Sequence, residues 1–212
     1  METTIDYKGY IIKIDNENDF ADNPGDWGND DYFLVYDHRS FYVKRDYFNP
    51  DDIFETMQQG KKLFDGYWFF PVYAYIHSGV SLQLKRWFNC VPQGHNEFDV
   101  SFKGFALIKR QKGSWNENIA YSQAEGLLET WNDYLHGNVY GFICKDANDE
   151  NIDSCWGYYG DPETSGLMDE AKGAIDYEVK KRLQDKISKV KTWIKNHVPI
   201  DKRNELILTL NN

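Results

Sequence analysis

The chain has 212 residues and a formal net charge of −10 at pH 7, from 34 acidic and 24 basic side chains. This length suits one α+β domain, or one domain with an appended helical tail, and an aromatic content of 17% provides large side chains for a core. These values exclude a disordered chain, which has few aromatic residues, and a main body that grips duplex DNA, which needs a positive surface.

The sequence contains no membrane or disulfide signal. No apolar run approaches the roughly 20 residues that span a bilayer, and no apolar segment follows a basic amino terminus. A cytoplasmic location is therefore expected. Cys90, Cys144 and Cys155 form neither an even disulfide framework nor a CxxC pair. Cys144 and Cys155 can face each other across a hairpin, but free thiols are the expectation in a reducing compartment.

The amino-terminal part predicts a strand followed by an acidic loop. Residues 4–14 predict the strand, with a short Lys-Gly turn in it, and residues 15–31 contain seven acidic and no basic residues around an Asn-Pro-Gly loop signal. The alternating acids at the start of the loop resemble a calcium-binding loop. Phe20 replaces the glycine that such a loop requires, and Asp26 replaces its bidentate Glu. No metal site is predicted.

The middle of the chain predicts strands around one helix. Residues 31–45 are rich in aromatic and β-branched residues and predict one or two strands. Asn49 is the expected N-cap of a helix that begins at Pro50 and ends at Gly66. Further strands are predicted over residues 72–76, 80–84 and 98–112, with a loop containing Cys90 and His95 before the last. The nearly continuous apolar middle of that last strand indicates a central position.

The stretch from Ala124 to Gly160 contains the end of a helix and a hairpin. Residues 119–136 place their apolar side chains on one stripe, and Gly137 ends the helix in the left-handed cap conformation. Two strands then follow, 140–146 and 152–160, joined by a polar turn.

A long amphipathic helix is predicted at the carboxy terminus. Apolar residues recur at steps of three or four from Leu167 to Ile194, and Pro199 ends the pattern. We therefore expect an α+β core domain over residues 1–163 and a helical extension over residues 164–212, packed on the core or used for homodimerisation. The expected fold is α+β, with about six strands in an antiparallel or mixed sheet flanked by helices.

Charge is unevenly distributed along the chain. Ten basic and four acidic residues lie between Lys172 and Arg203, a net charge of +6, whereas the remainder has 14 basic and 30 acidic residues, a net charge of −16. The basic helix with Trp193 is the candidate contact for nucleic acid. Lysines at helical spacing are typical of a solvated face, so direct binding of nucleic acid is not predicted.

Several short motifs resemble a family of small proteins carried by bacteriophages, prophages and plasmids. Residues 140–142 (YGF) and 153–160 (DSCWGYYG) resemble the family's "YGF … DSCWGFYG" ending, and residues 133–137 (DYLHG) resemble its "YDxYLxG". Residues 73–80 (YAYIHSGV) are similar to "LYxYDHSGI", and residues 23–29 (NPGDWGN) to "SPREWDN". The resemblance implies a mobile-element accessory protein inside a bacterial host cell, without implying a reaction.

The chain departs from that family in two places. Ile76 stands where the family has Asp before the residue that corresponds to His77, and the segment after Phe88 lacks the family's "WDSGQVGFIYV" strand. The helix after residue 165 lies outside the resemblance.

The sequence leaves catalysis open and favours a binding role. Cys155 and His77 are the candidate nucleophile and base of a small hydrolase-like enzyme, although Cys155 lies in mid-strand, where a packed thiol is ordinary. No glycine-rich phosphate loop, zinc-ligand spacing or nucleotide fingerprint occurs, and no cofactor is predicted.

Binding to a host defence protein is the favoured function. An acidic, aromatic-rich body suits an inhibitor of a CRISPR-Cas or restriction nuclease, whose DNA channel is positive. A structural or regulatory phage protein without catalytic activity is the alternative. The predicted partner-binding residues are Asp22, Asp26, Trp27, Asp30 and Asp31 in the acidic loop, and Asp146, Asp149 and Glu150 in the hairpin turn.

Overall fold

The α+β class is confirmed by a computed structural model of the chain, whose described part contains nine strands, three α-helices and one 3-10 helix. The strands form two antiparallel sheets, where about six strands in one sheet were predicted. The structure describes residues 3–16, 21–28, 30–36, 38, 43, 48–84, 99–111 and 116–203. Predictions for Cys90, His95, most of residues 37–47 and the tail beyond residue 203 lie outside these residues.

The elements are, in chain order, β1 (Thr3–Tyr7), β2 (Tyr10–Asn16), a 3-10 helix (Pro24–Asp26), β3 (Tyr32–Tyr36), α1 (Pro50–Gln58), β4 (Leu63–Phe64), β5 (Tyr67–Ile76), β6 (Val80–Gln83), β7 (Val100–Lys109), α2 (Glu117–His136), β8 (Val139–Lys145), β9 (Asn151–Tyr159) and α3 (Leu167–His197). Two compact units contain them. The first comprises residues 1–15, 141–156 and 162–212, and the second comprises residues 16–140 and 157–161. The independent domain boundary expected at residue 163 stays a prediction.

The first unit contains α3 and most of a four-stranded sheet in the order β1-β2-β8-β9. Lys8 and Gly9 have positive φ angles of 54° and 78°, which confirms the predicted turn between β1 and β2. The buried thiol of Cys144 donates to the carbonyl of Ala171 at 3.5 Å, which places α3 against the sheet. Burial raises the pKa of Cys144 to about 11. Cys144 and Cys155 are both free thiols, as expected.

The apolar stripe of α3 is buried only in part. Leu167, Ala171 and Ile175 are fully buried in the first turns, whereas Leu183 and Trp193 are 57% and 59% exposed further along. The expected choice between packing of the helical extension on the core and its use in dimerisation stays a prediction. Homodimerisation through its remaining apolar residues stays a prediction. Among the helices that the structure describes, none is both long and apolar enough to cross a membrane.

The second unit places a five-stranded sheet between two helices. Its strand order is β3-β7-β5-β4, with β6 paired to β5, so β7 is central as predicted. Residues 105–108 of β7 are fully buried because successive side chains enter two different cores. Leu128 and Trp131 of α2 pack in one core, and Ile53 of α1 packs in the other.

Helix α1 ends earlier than predicted. Asn49 caps it by accepting from the backbone N–H of Asp51 at 3.0 Å, but the helix stops at Gln58 instead of Gly66. Gly60 adopts a φ of +71°, and Leu63–Phe64 pairs with the start of β5 as a short hairpin. Leu63–Phe64 therefore form a strand by pairing with β5, although the local sequence pattern predicted a helix for them.

Strand β5 also begins five residues before the predicted start at residue 72. It continues through Pro71, which pairs with Phe105 of β7 on one side. On its other side, β4 pairs with residues 67–68 and β6 with residues 73–76. Pro71 lies between these two pairings, where a residue without an N–H donor is tolerated.

Helix α2 has both of its ends fixed by caps. Asn116 accepts from the backbone N–H groups of Asn118 and Ile119 at 3.0 and 3.2 Å. Gly137 has a φ of +72°, and its N–H donates to the carbonyl of Tyr134 at 3.1 Å. The predicted left-handed cap at Gly137 is therefore confirmed.

Candidate functional site

The acidic segment, residues 21–31 with Asn29 outside the described residues, is built around a short 3-10 helix. Asn23 caps this helix through its side-chain oxygen, which accepts from the N–H of Gly25 at 2.8 Å. Pro24 occupies the first helical position, where its fixed φ is favourable. The N–H of Asp26 donates to the Asn23 carbonyl at 2.8 Å. The Asn-Pro-Gly signal thus specifies a compact turn.

Trp131 of α2 supports this turn from inside the unit. Its side chain is 1% exposed, and Pro24 of the acidic segment is buried as well. A Cβ atom on Gly25 would lie 3.3 Å from Cη2 of Trp131 and 3.0 Å from Oδ1 of Asn23. Glycine is therefore the residue that allows the turn to approach the indole ring closely.

Tyr159, at the end of β9, contacts the acidic segment at two points. Its hydroxyl donates to the backbone carbonyl of Asp22. Its ring meets the indole of Trp27 edge to face, with the ring centroids 4.9 Å apart. Trp27 nevertheless remains 40% exposed. An exposed aromatic residue is thereby held in position among acidic side chains.

The acidic side chains of the segment differ in their surroundings. Asp22, Asp26 and Asp30 are exposed, whereas Asp31 is half-buried. The carboxylate of Asp31 lies 3.2 Å from Nζ of Lys109, and this ion pair raises the pKa of Lys109. We therefore assign Asp31 a role in anchoring the segment to the neighbouring β7.

A cavity of about 370 Å³ opens beside the acidic segment. The acidic segment, β3, Val43 and α2 form its walls. Apolar and aromatic side chains dominate the lining, and polar groups come from α2. The lining includes Trp27, Tyr32, Leu127, Trp131, Gly126 and Thr130.

The second predicted patch, in the turn between β8 and β9, is arranged differently. Asp146 is only 3% exposed, and its Oδ1 accepts from the N–H groups of Asn148 and Glu150 at 2.8 and 3.2 Å. Its Oδ2 lies 3.0 Å from Nη2 of Arg182 on α3. The hydrogen bond from Arg182, followed by that from Asn148, holds the pKa of Asp146 below its ordinary value. Asp146 thus shapes the turn.

Asp149 and Glu150 are the exposed acidic residues of this turn. Asp149 adopts a positive φ of 63°, and its carboxylate lies 2.9 Å from Nζ of Lys145. The hydrogen bond with Lys145 lowers the pKa of Asp149. A role for the turn in binding a partner stays a prediction, because no contact described here tests it.

Cys155 and His77 belong to different compact units, and their pairing stays a prediction. Cys155 is half-buried, and its thiol donates to the carbonyl of Trp156 at 3.8 Å. His77 is exposed in the turn between β5 and β6, where its backbone N–H donates to Gly79 at 3.2 Å. Within the described ranges, no group of three His, Cys, Asp or Glu residues is placed to hold a metal ion.

Three of the motifs that carry the family resemblance, residues 23–29, 133–137 and 153–160, approach one another through residues of the second unit. The turn at residues 23–27 contacts Tyr159, and the Gly160 N–H donates to the Asn138 carbonyl at 2.9 Å. A Cβ on Gly160 would lie 3.1 Å from Oδ2 of Asp133. These contacts join residues that are far apart in the chain. In the sequence, their only signal is that each of them lies in, or next to, a motif of the family resemblance. The roles of Tyr159 and Trp131 were missed because both act through long-range contacts.

Three comparisons with known proteins found no match: no family model, no curated protein and no solved structure is significantly similar to this chain. The resemblance to proteins of mobile elements therefore stays a prediction.

Proposed function

We propose that this protein is a phage or mobile-element accessory protein that binds and inhibits a host defence nuclease, of the CRISPR-Cas or restriction type. The single observation that carries the proposal is the exposed indole of Trp27, held by Tyr159 within the acidic segment. Tryptophan is enriched at the energetic centres of protein interfaces, where polar residues surround it. An ordinary solvated loop has no need of an aromatic side chain fixed at its surface.

Charge supports the choice of a nuclease as the partner. The chain outside residues 172–203 has a net charge of −16, and the acidic segment contributes exposed carboxylates at Asp22, Asp26 and Asp30. A nuclease needs a positive channel for its DNA, and such a channel attracts a negative protein surface before contact. Competition with DNA then follows from occupation of the same channel. The bacterial cytoplasm is the compartment in which this encounter takes place.

Affinity capture from a bacterial host with active restriction and CRISPR-Cas systems tests the proposal. The tagged protein is expected to retain a nuclease subunit at low salt and to release it at high salt, because salt screens charge attraction. A variant with Asp22→Lys, Asp26→Lys and Asp30→Lys is expected to lose the partner. The proposal fails if this variant captures the subunit as well as the wild type does, or if no defence protein is recovered.

A matched control separates local charge from net charge. Asp6, Glu55 and Asp185 are exposed acidic residues outside both acidic patches. Their joint replacement by Lys changes the net charge by the same amount as the variant in the acidic segment. Capture is expected to survive in this control, and equal loss in both variants would show that net charge alone drives the association.

A further inference from the structure

The cavity beside Trp27 has the character of a side-chain pocket. Its volume of about 370 Å³ lies within the usual range of about 300–1,000 Å³ for ligand sites. We propose that it receives an arginine side chain of the bound protein. This inference rests on the proposed function and adds the chemistry of the contact, namely which residue of the partner enters the pocket and which wall it touches.

The two main walls of the cavity come from segments without a cationic side chain. Residues 15–36 contain seven acidic residues and no Lys or Arg, and residues 116–136 contain four acidic residues and no Lys or Arg. Asp26 lies between two lining residues, Gly25 and Trp27. The acidic residues of these two segments favour a cationic ligand over an anionic one.

Two basic residues in the described part of the chain form ion pairs with carboxylates of these two segments. Lys109 forms an ion pair with Asp31 at 3.2 Å, and Lys62 forms one with Glu117 at 2.5 Å. Both pairs lie on the two segments that form the walls.

The lining chemistry favours arginine among cationic side chains. Trp27 and Tyr32 provide aromatic surface, on which a guanidinium group stacks better than an ammonium group. Leu127 provides an apolar surface for the methylene stem. Thr130 also lines the cavity, and its hydroxyl donates to the Gly126 carbonyl at 3.1 Å, so its oxygen can still accept from a guanidinium N–H.

Gly126 gives independent support for an occupant. It lies in the middle of α2, where glycine weakens a helix, and it lines the cavity. A Cβ built on Gly126 would meet no atom within 4 Å. The packing of the described chain thus gives no reason for a glycine here. A glycine here is explained if the space beside the helix must stay open for a bound side chain.

The test uses a tripeptide probe, acetyl-Gly-Arg-Gly-amide, and the same peptide with citrulline, which has the shape of arginine without its charge. Binding is followed by the indole N–H signals of Trp27 and Trp131 in NMR spectra of the full chain, assigned with Trp→Phe variants. The arginine peptide is expected to shift both signals saturably and to bind about tenfold more tightly than the citrulline peptide. Equal affinities, or no saturable shift, would overturn the inference.

Gly126→Leu provides the variant test, because the new side chain fills the cavity from the helix side. Loss of the arginine-induced shifts is expected, with the remaining indole signals unchanged as evidence of folding. If this variant does not fold, the comparison of the two peptides on the unmodified protein still decides the question.

The outcome is separable from that of the proposed function. Arginine binding without capture of any defence protein would support the cavity and remove the proposed function. Nuclease capture that is unaffected by Gly126→Leu would keep the proposed function and overturn the inference about the cavity.

Discussion

The ring of Tyr159 meets the indole of Trp27 edge to face at 4.9 Å, while its hydroxyl donates to the carbonyl of Asp22. One side chain from the end of β9 thereby fixes two points of the acidic segment. Edge-to-face ring pairs contribute about 0.5–1.5 kcal/mol beyond the area that they bury. Tyr159 is thus expected to hold Trp27 in place for binding.

Replacing Tyr159 separates these two contributions. Tyr159→Phe removes the hydrogen bond to Asp22 and is expected to lower the free energy of unfolding by about 0.5–1.5 kcal/mol. Tyr159→Ala also removes the ring contact with Trp27 and is expected to cost more. Urea unfolding of both variants measures the difference. Equal stability of Tyr159→Ala and the wild type would contradict the anchoring role.

Gly126→Ala is expected to stabilise the protein. Alanine in the middle of a helix is favoured over glycine by about 0.5–1 kcal/mol, and no atom lies within 4 Å of the new Cβ. Gly25→Ala is the matched comparison, because its Cβ would lie 3.0 Å from Oδ1 of Asn23 and is expected to destabilise. Urea midpoints of the two variants should move in opposite directions, and a shift in the same direction would count against the described packing.

Gly141→Ala is expected to destabilise the first unit. Its Cβ would fall 2.1 Å from Cε3 of Trp156, and the cost of such overpacking is about 1–3 kcal/mol. In a double-mutant cycle, Gly141→Ala should destabilise the Trp156→Ala variant less than it destabilises the wild type, because Trp156→Ala removes the side chain that the new Cβ would overlap. Strict additivity of the two changes would show that Trp156 does not cover Gly141.

The ion pair between Asp146 and Arg182 predicts a pH dependence of stability. Because Arg182 lowers the folded-state pKa of Asp146, the stabilisation is fully present above the ordinary Asp pKa of 3.8. It is lost as the pH falls through the lower folded-state value. Asp146→Asn keeps a side-chain oxygen for the turn and removes the charge. Its stability deficit, measured by urea unfolding, should shrink as the pH falls below this range; a constant deficit would argue against the ion pair.

Local signals predicted much of the fold. The turn at Lys8-Gly9, the cap at Gly137 and the N-cap at Asn49 each depend on a few neighbouring residues, and the structure confirms them. The end of α1 was predicted too late, because the pairing of Leu63–Phe64 with β5 is a contact between strands that helix periodicity does not contain.

The candidate site was predictable only in part. Acidic composition indicated the segment with Asp22 and Trp27, but the support from Trp131 and Tyr159 depends on packing between distant parts of the chain. The cavity beside Gly126 is likewise a product of tertiary structure. Asp146 was predicted as a surface contact from its charge, and its 3% exposure shows why charge alone does not determine position.

Phage plating on bacterial strains that each carry one defined restriction or CRISPR-Cas system tests the central claim most directly. Expression of the wild-type protein is expected to restore plating of a sensitive phage in at least one strain. The variant Asp22→Lys, Asp26→Lys, Asp30→Lys is expected to lose this protection, and the control variant Asp6→Lys, Glu55→Lys, Asp185→Lys should keep it. Unchanged plating in every strain, or full protection by the variant of the acidic segment, would contradict inhibition of host defence through this surface.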